Sequence, residues 1–137
     1  METEKAYEIL CFKECGDDRG HLVAIEGNDD IPFDIKRIFY IYGSSSDIIR
    51  GQHANVNTEF VLVNVKGSCK IKIDDGINQS IIELNEPFKG VYLSPKVWKD
   101  MYDFSEDSVL LVLASTHYDT AEYINDYNEW KTQIMQS

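Results

Sequence analysis

Positive charge is scarce in this 137-residue chain: 13 lysines and arginines stand against 24 acidic residues, for a formal net charge of −11. That balance disfavours a nucleic-acid partner, because phosphate backbones are held by clustered Lys and Arg. A phosphorylated small molecule stays open, provided that cations are concentrated locally. Arginine occurs only as Arg19, Arg37 and Arg50, all in the N-terminal half. Histidine occurs only as His21, His53 and His117. The cysteines, Cys11, Cys15 and Cys69, are odd in number and build no disulfide framework. No histidine or second cysteine pair beside Cys11 and Cys15 completes a zinc site, so reduced thiols in a cytoplasmic protein are expected. No apolar run approaches the roughly 20 residues of a membrane helix. The opening Met1-Glu-Thr-Glu-Lys5 has neither the basic start nor the apolar core of a signal peptide. A soluble protein with no membrane partner is the expectation.

What is present is enough for a core. At 137 residues and 43% hydrophobic content, the chain suits one domain over 1–137, since two would leave too little core for each. Short β-branched and aromatic runs punctuated by turn residues dominate it. Residues 7–13 predict an edge strand, Gly16-Asp-Asp-Arg-Gly20 a turn, and residues 21–26 and 35–42 further strands. Residues 59–65 and 69–73 read as a hairpin joined at Lys66-Gly67. Asp74-Asp-Gly76 is a second tight turn, followed by strands near 79–84, 90–93, 98–104 and 108–114. About nine short strands indicate an all-β sandwich or jelly roll. After Ser115, Tyr123, Ile124, Tyr127 and Trp130 recur at helical intervals. This predicts a helical segment over about 120–134, capped by Asp119 or Thr120, its aromatic face packed on the sandwich or on a partner subunit.

The stretch Arg50-Gly-Gln-His53-Ala-Asn55-Val-Asn-Thr-Glu59 is the candidate site. In an extended strand alternate side chains share a face. On that rule His53, Asn55, Glu59, Val61 and Val63 line one wall, apolar with a small polar group at one end, as suits a pocket inside a small barrel or sandwich. A divalent transition metal wants at least three good protein ligands. His53 and Glu59 make a poor set, to which Asn55 adds little, and no metal is expected. Trp98 reads equally as pocket wall or core filler. The arginines read as surface charges or as anion ligands, and His21 and His117 as surface or structural histidines.

The pattern Gly51-x-His53-x-Asn55-x-x-x-Glu59, with the later Gly67, resembles the first signature of the cupin superfamily. A longer ordered set runs from Ile35-Lys-Arg-Ile-Phe-Tyr-Ile through Arg50-Gly-x-His53-Ala and Val63-x-x-x-Gly67-Ser-Cys to Asp74-Asp-Gly76. Val97-Trp98-x-x-Met101-x-Asp103-Phe-Ser and Val112-Leu-Ala-Ser115-x-x-Tyr-Asp119 complete it. No single piece is specific, but the order over roughly residues 16–130 resembles the dTDP-sugar 3,4-ketoisomerases, which are metal-free cupins.

The resemblance implies a cupin-type jelly roll and conversion of a dTDP-linked 4-keto-6-deoxyhexose, dTDP-4-keto-6-deoxyglucose, to its 3-keto isomer. That product feeds 3-amino-3,6-dideoxyhexose synthesis. It also implies a homodimer and no cofactor. Moving the ketone through an enediol needs a base that works near neutral pH, which histidine meets best, and donors or a cation near the enediolate oxygen. His53 is the candidate acid/base. Asn55 stands where the resemblance implies a second histidine, and an amide has no useful acid/base pKa. Either His53 performs both transfers, or another group such as Tyr102 assists, or the chain only binds the nucleotide sugar. Arg37 and Arg50 suit the pyrophosphate through bidentate guanidinium contacts. Phe39, where the family has tyrosine, and Glu59, Trp98 and Lys99 would line the substrate pocket. Arg19 and Lys99 at its rim would select the face of C-4 that is reprotonated. A sugar 3,5-epimerase on the same scaffold is the alternative enzyme.

Overall fold

In a computed structural model that describes residues 6–136, twelve strands and one α-helix are formed. The N-terminal pentapeptide, which carries the signal-peptide expectation, lies outside the described residues. One five-stranded sheet runs β1 (Tyr7–Cys11), β9 (Lys89–Leu93), β6 (Phe60–Lys66), β11 (Val109–Ala114) and β4 (Arg37–Tyr42). The other runs β12 (Tyr123–Ile124), β5 (Arg50–Asn55), β10 (Trp98–Tyr102), β7 (Cys69–Asp74) and β8 (Gln79–Leu84). All pairings within these two sheets are antiparallel. A separate hairpin pairs β2 (Glu14–Asp17) with β3 (Gly20–Val23). The two large sheets stay distinct, so the cupin-type architecture is an open sandwich rather than a closed barrel. Among the described residues no helix is long and apolar enough to cross a membrane.

Strand alternation builds three apolar layers. Between the sheets lie Ile41, Phe60, Leu62, Leu110 and Val112 from one side and Cys69, Ile71, Ile73 and Met101 from the other. Behind the first sheet, Val61, Val63 and Leu113 are covered by Phe12, Ile31 and Phe33. This explains the unbroken Phe-Val-Leu-Val run of β6: flanked by β9 and β11 and buried on both faces, it alternates nothing with water. Behind the second sheet, Ala54 and Trp98 pack against Trp130, with Tyr127 and Ile134 alongside.

Three sequence expectations are corrected. The residues from His53 to Val63 do not share a face: β5 ends at Asn55 and β6 begins at Phe60. The irregular link resets the alternation, so Phe60 and Leu62 point inward while Val61 and Val63 point to the outer layer. The predicted hairpin at Lys66-Gly67 is a crossing between sheets, since β6 pairs with β9 and β11 and β7 with β10 and β8. Asp74-Asp-Gly76 does make a hairpin, pairing β7 with β8.

The helical segment over 120–134 divides into three. Asp119 caps a 3₁₀ turn, Thr120–Glu122, through Ala121 N, Tyr123–Ile124 add an edge strand to β5, and Asp126 caps α1 (Tyr127–Met135) through Glu129 N. Two acidic caps seven residues apart divide the run, and the apolar period reads across both. The α1 aromatic residues do pack on the sandwich, as expected.

Candidate active site

Arg50-Gly51-Gln52 enters the second sheet with Gly51 at φ +83° and Gln52 at φ +54°. Against β10 the register slips there: Lys99 pairs with His53 and Asp100 with Gly51. The extra residue is a β-bulge, a device that re-aims side chains at the rim of a sheet. Only glycine suits position 51. A Cβ there would lie 3.0 Å from the Lys99 carbonyl oxygen and 3.2 Å from Met101 Cε. The bulge turns His53 into a cavity of about 230 Å³ lined by Phe39, Arg50, Phe60, Lys99, Met101 and Tyr123, among others.

The His53 ring is fixed on two sides. Its Nδ1 lies 2.9 Å from the Gly51 carbonyl oxygen. A carbonyl only accepts, so Nδ1 carries the hydrogen and, in the neutral ring, Nε2 keeps the lone pair. Tyr123 makes a T-shaped pair with it, with ring centroids 4.8 Å apart and planes at 70°. Burial, then the nearby Lys99 cation, push the His53 pKa down to about 4 against a smaller opposing effect of the Gly51 bond. At neutral pH the imidazole is an uncharged base.

Lys99 shares that interior. It is 3% exposed, with its ammonium 4.0 Å from the centroid of the Phe60 ring. Burial, and then Arg37, lower its pKa to about 7. Arg37 reaches Tyr123 Oη at 3.4 Å through Nη1 and lies over the rings of Phe39 and Tyr118 at 5.4 and 5.7 Å. Among the described residues no carboxylate lines the cavity. One neutral base and a set of cations in a partly apolar hollow suit an anionic substrate with an acidic carbon-bound hydrogen. A larger open groove of about 1200 Å³ lies between residues 6–9 and 77–80, but its lining contains neither histidine nor arginine. The acidic trio Glu26, Asp29 and Asp30 is exposed beyond β3, away from the cavity.

Of the residues singled out in the sequence, His53, Arg50, Phe39 and Lys99 therefore line one cavity, and Arg37 stands behind Tyr123. Asn55 follows His53 on the same face of β5, 2% exposed, with neither its amide nitrogen nor its oxygen hydrogen-bonded. The others lie elsewhere. Glu59 precedes β6 and accepts the Tyr92 hydroxyl at 2.6 Å, on the outer side of the first sheet. Trp98, next to Lys99, faces the opposite way onto Trp130 and Tyr127. Tyr102 shares the parity of Trp98 and is not in the cavity lining. Arg19 sits in the β2–β3 turn, exposed and ion-paired with Asp17 at 2.7 Å.

Tyr123 is the residue that sequence reasoning missed, because its helical spacing to Tyr127 and Trp130 hid a two-residue strand. Glu122 fixes it in place. Its carboxylate accepts Asn57 N at 2.8 Å, Thr58 N at 3.0 Å, Thr58 Oγ1 at 2.8 Å and Asn57 Nδ2 at 3.0 Å.

Known proteins align with this geometry. The family model described as FdtA, WxcM-like, C-terminal, matches residues 5–135. The TDP-4-oxo-6-deoxy-alpha-D-glucose-3,4-oxoisomerase of Aneurinibacillus thermoaerophilus is 46% identical over 127 residues, which is 93% of this chain and 91% of that protein. The sugar 3,4-ketoisomerase QdtA of Thermoanaerobacterium thermosaccharolyticum, solved in complex with TDP, superposes with a TM-score of 0.93 at 44% identity, covering 96% of each chain. WlaRA of Campylobacter jejuni, a TDP-fucose-3,4-ketoisomerase, gives 0.89 at 46% identity, covering 94% of this chain and 96% of its own. By sequence over nearly its whole length, and by fold, this chain belongs to the family of TDP-sugar 3,4-ketoisomerases.

Proposed function

We propose that this protein isomerises a TDP-linked 4-keto-6-deoxyhexose, with TDP-4-keto-6-deoxyglucose as the substrate, to the 3-keto sugar. The carrying observation is His53: an imidazole held neutral by burial, its Nδ1 hydrogen committed to Gly51, so that Nε2 is the base available in a cation-lined cavity. In the first half of the reaction the C-3 hydrogen leaves to His53 and O-4 gains a proton, forming an enediol. In the second half O-3 loses its proton and C-4 gains one. Atoms balance with no redox partner. Arg37 and Arg50 supply guanidinium groups for the diphosphate, and Phe39 with Phe60 forms the apolar wall against the sugar. The names of the relatives support the substrate class.

Incubation with TDP-4-keto-6-deoxyglucose in deuterated buffer, followed by NMR, tests this reading. A new C-3 ketone is expected beside a C-4 that carries the hydrogen taken from C-3, or deuterium where the His53 imidazolium exchanges with solvent before it gives its proton back. Exchange at C-3 and C-5 with the ketone unmoved would make the chain an epimerase, and TDP binding without turnover would make it a binding domain. His53→Asn should abolish turnover.

The protein is further proposed to act as a homodimer. The outer face of β4, an edge strand, presents Ile38, Tyr40 and Tyr42 at 57%, 61% and 71% exposure, an apolar strip that a second copy would cover. Solution scattering should give a compact dimer, and Tyr40→Glu should shift it to monomer. A wild-type chain that scatters as a monomer at all concentrations would end this reading.

A further inference from the structure

We propose that Lys99 is the second proton carrier of the cavity, giving a proton to O-4 of the bound keto sugar in the first half of the isomerisation and taking one from O-3 in the second. The inference rests on the ketoisomerase reading above and deepens it. Its starting point is a deficit. The reaction moves two protons in each half, one at carbon and one at oxygen, whereas the strand that carries His53 offers only the amide of Asn55 as its neighbour on that face. An amide carries no exchangeable acid proton at working pH. With His53 Nδ1 held by the Gly51 carbonyl and Nε2 serving the carbons, the oxygens call for a second group.

The cavity narrows the choice. From β5 it receives His53 and Arg50, from β4 Tyr40, with Arg37 close by, from β12 Tyr123, and from β10 Lys99; β6 contributes only the apolar Phe60 and Leu62. Guanidinium groups do not deprotonate in proteins, which removes Arg37 and Arg50. Tyr123 holds its hydroxyl toward Arg37, which is not among the lining residues, and Tyr40 belongs to the outward face of β4. Lys99 is left. It is the direct register partner of His53 across β10 and β5, and the bulge at that point turns both side chains inward. Among the described residues no carboxylate pairs with its ammonium. A buried, unpaired lysine is costly to keep, which is why such residues gather at sites of chemistry.

The cycle closes without any other reactant. Neutral His53 takes the C-3 hydrogen as a proton while the Lys99 ammonium protonates O-4, leaving imidazolium, amine and a neutral enediol. The amine then takes the O-3 proton while the imidazolium delivers its proton to C-4. The carbonyl is now at C-3, and both residues have returned to their starting states. Burial and Arg37 place Lys99 near pH 7, where it exchanges a proton readily, and burial keeps His53 neutral at the start.

The test compares wild type, Lys99→Arg and Lys99→Met, measuring turnover of TDP-4-keto-6-deoxyglucose, TDP binding by calorimetry, and kcat/KM from pH 5 to 9. Arginine keeps the charge and lacks the exchangeable proton, so it separates a proton carrier from an electrostatic clamp. Both variants should bind TDP within about tenfold of wild type and lose about 100-fold or more in kcat, the usual share of a general acid or base. Wild-type kcat/KM should fall as pH rises through about 7, where the ammonium is lost, and that fall should be missing from the residual activity of Lys99→Arg. Lys99→Arg turning over within about threefold of wild type, with the same pH profile, would overturn the role of Lys99 and leave the isomerase reading intact. A wild type that binds TDP but moves no ketone would overturn both.

Discussion

The Tyr123 ring and the His53 imidazole make a T-shaped pair at a centroid distance of 4.8 Å, and the Tyr123 hydroxyl accepts from Arg37 Nη1 at 3.4 Å. One phenol thus touches both the base and a cation assigned to the diphosphate. Tyr123→Phe keeps the ring contact and frees Arg37, so KM should rise several-fold with kcat little changed. Tyr123→Ala removes the wall beside His53 and should lower kcat about tenfold or more, by the sensitivity of proton transfer to donor placement. Steady-state kinetics on the two variants checks the split; equal effects on kcat would refute it.

Glu122 holds that phenol from behind. Burial raises its pKa, but the donors from Asn57 and Thr58 outweigh burial and hold the carboxyl below its ordinary value. Glu122→Ala strands the buried Thr58 N–H and should cost about 1–3 kcal/mol, with a rise in KM as β12 loosens. Urea denaturation and kinetics measure both. Because the folded-state pKa is depressed, the contribution of Glu122 is present above the unfolded value and fades as pH falls through the folded one. The gap between wild type and variant should therefore narrow in acid.

The sandwich was legible because β-branched and aromatic runs such as Ile35–Tyr42 and Val109–Ala114 alternate with turn chemistry whatever their partners. Side-chain facing across the link from Asn55 to Phe60 was not, since a parity count survives only while the strand is continuous. That single break moved Glu59, Val61 and Val63 out of the cavity and Phe60 and Leu62 into it. Lys99 was legible as a cavity cation but not as a buried one, because burial depends on how β10 and β5 are registered. Trp98 and Lys99, adjacent on one strand, could not both face the same pocket.

Gly51 is the local condition for the whole arrangement. Gly51→Ala meets a left-handed φ and the Lys99 carbonyl at 3.0 Å, which should cost about 1–2 kcal/mol. The change also shifts the carbonyl that fixes His53 Nδ1. Activity should fall more steeply than stability. Thermal unfolding combined with kcat shows whether it does, and a fully active Gly51→Ala would mean that the bulge does not orient the base.

Asn55 has both polar side-chain atoms buried and unbonded. Replacing an unsatisfied buried amide loses no hydrogen bond, so Asn55→Ala should change stability by less than about 1 kcal/mol. If the oxygens are served by Lys99, turnover should stay within about fivefold of wild type. A loss of 100-fold in Asn55→Ala would instead place the amide against the reacting carbons.

Lys99 also predicts how stability follows pH. Its folded-state pKa, about 7, lies below the ordinary lysine value of 10.5, so the folded state disfavours the ammonium that the unfolded chain accepts. The penalty is complete below about pH 7 and is relieved as pH rises toward the unfolded value. Lys99→Met removes the charge and keeps most of the volume. It should be more stable than wild type at pH 6, by on the order of 2 kcal/mol, since a tenfold change in a protonation equilibrium is worth about 1.4 kcal/mol and relaxation recovers part of the penalty. By pH 10 the gap should have nearly closed, because the unfolded lysine is then close to its own pKa of 10.5 and is losing its proton as well. Calorimetric Tm values at pH 6, 8 and 10 decide the matter. A gap that does not close with pH would show that Lys99 stays protonated in the cavity, with its charge screened by a route other than the groups that line it.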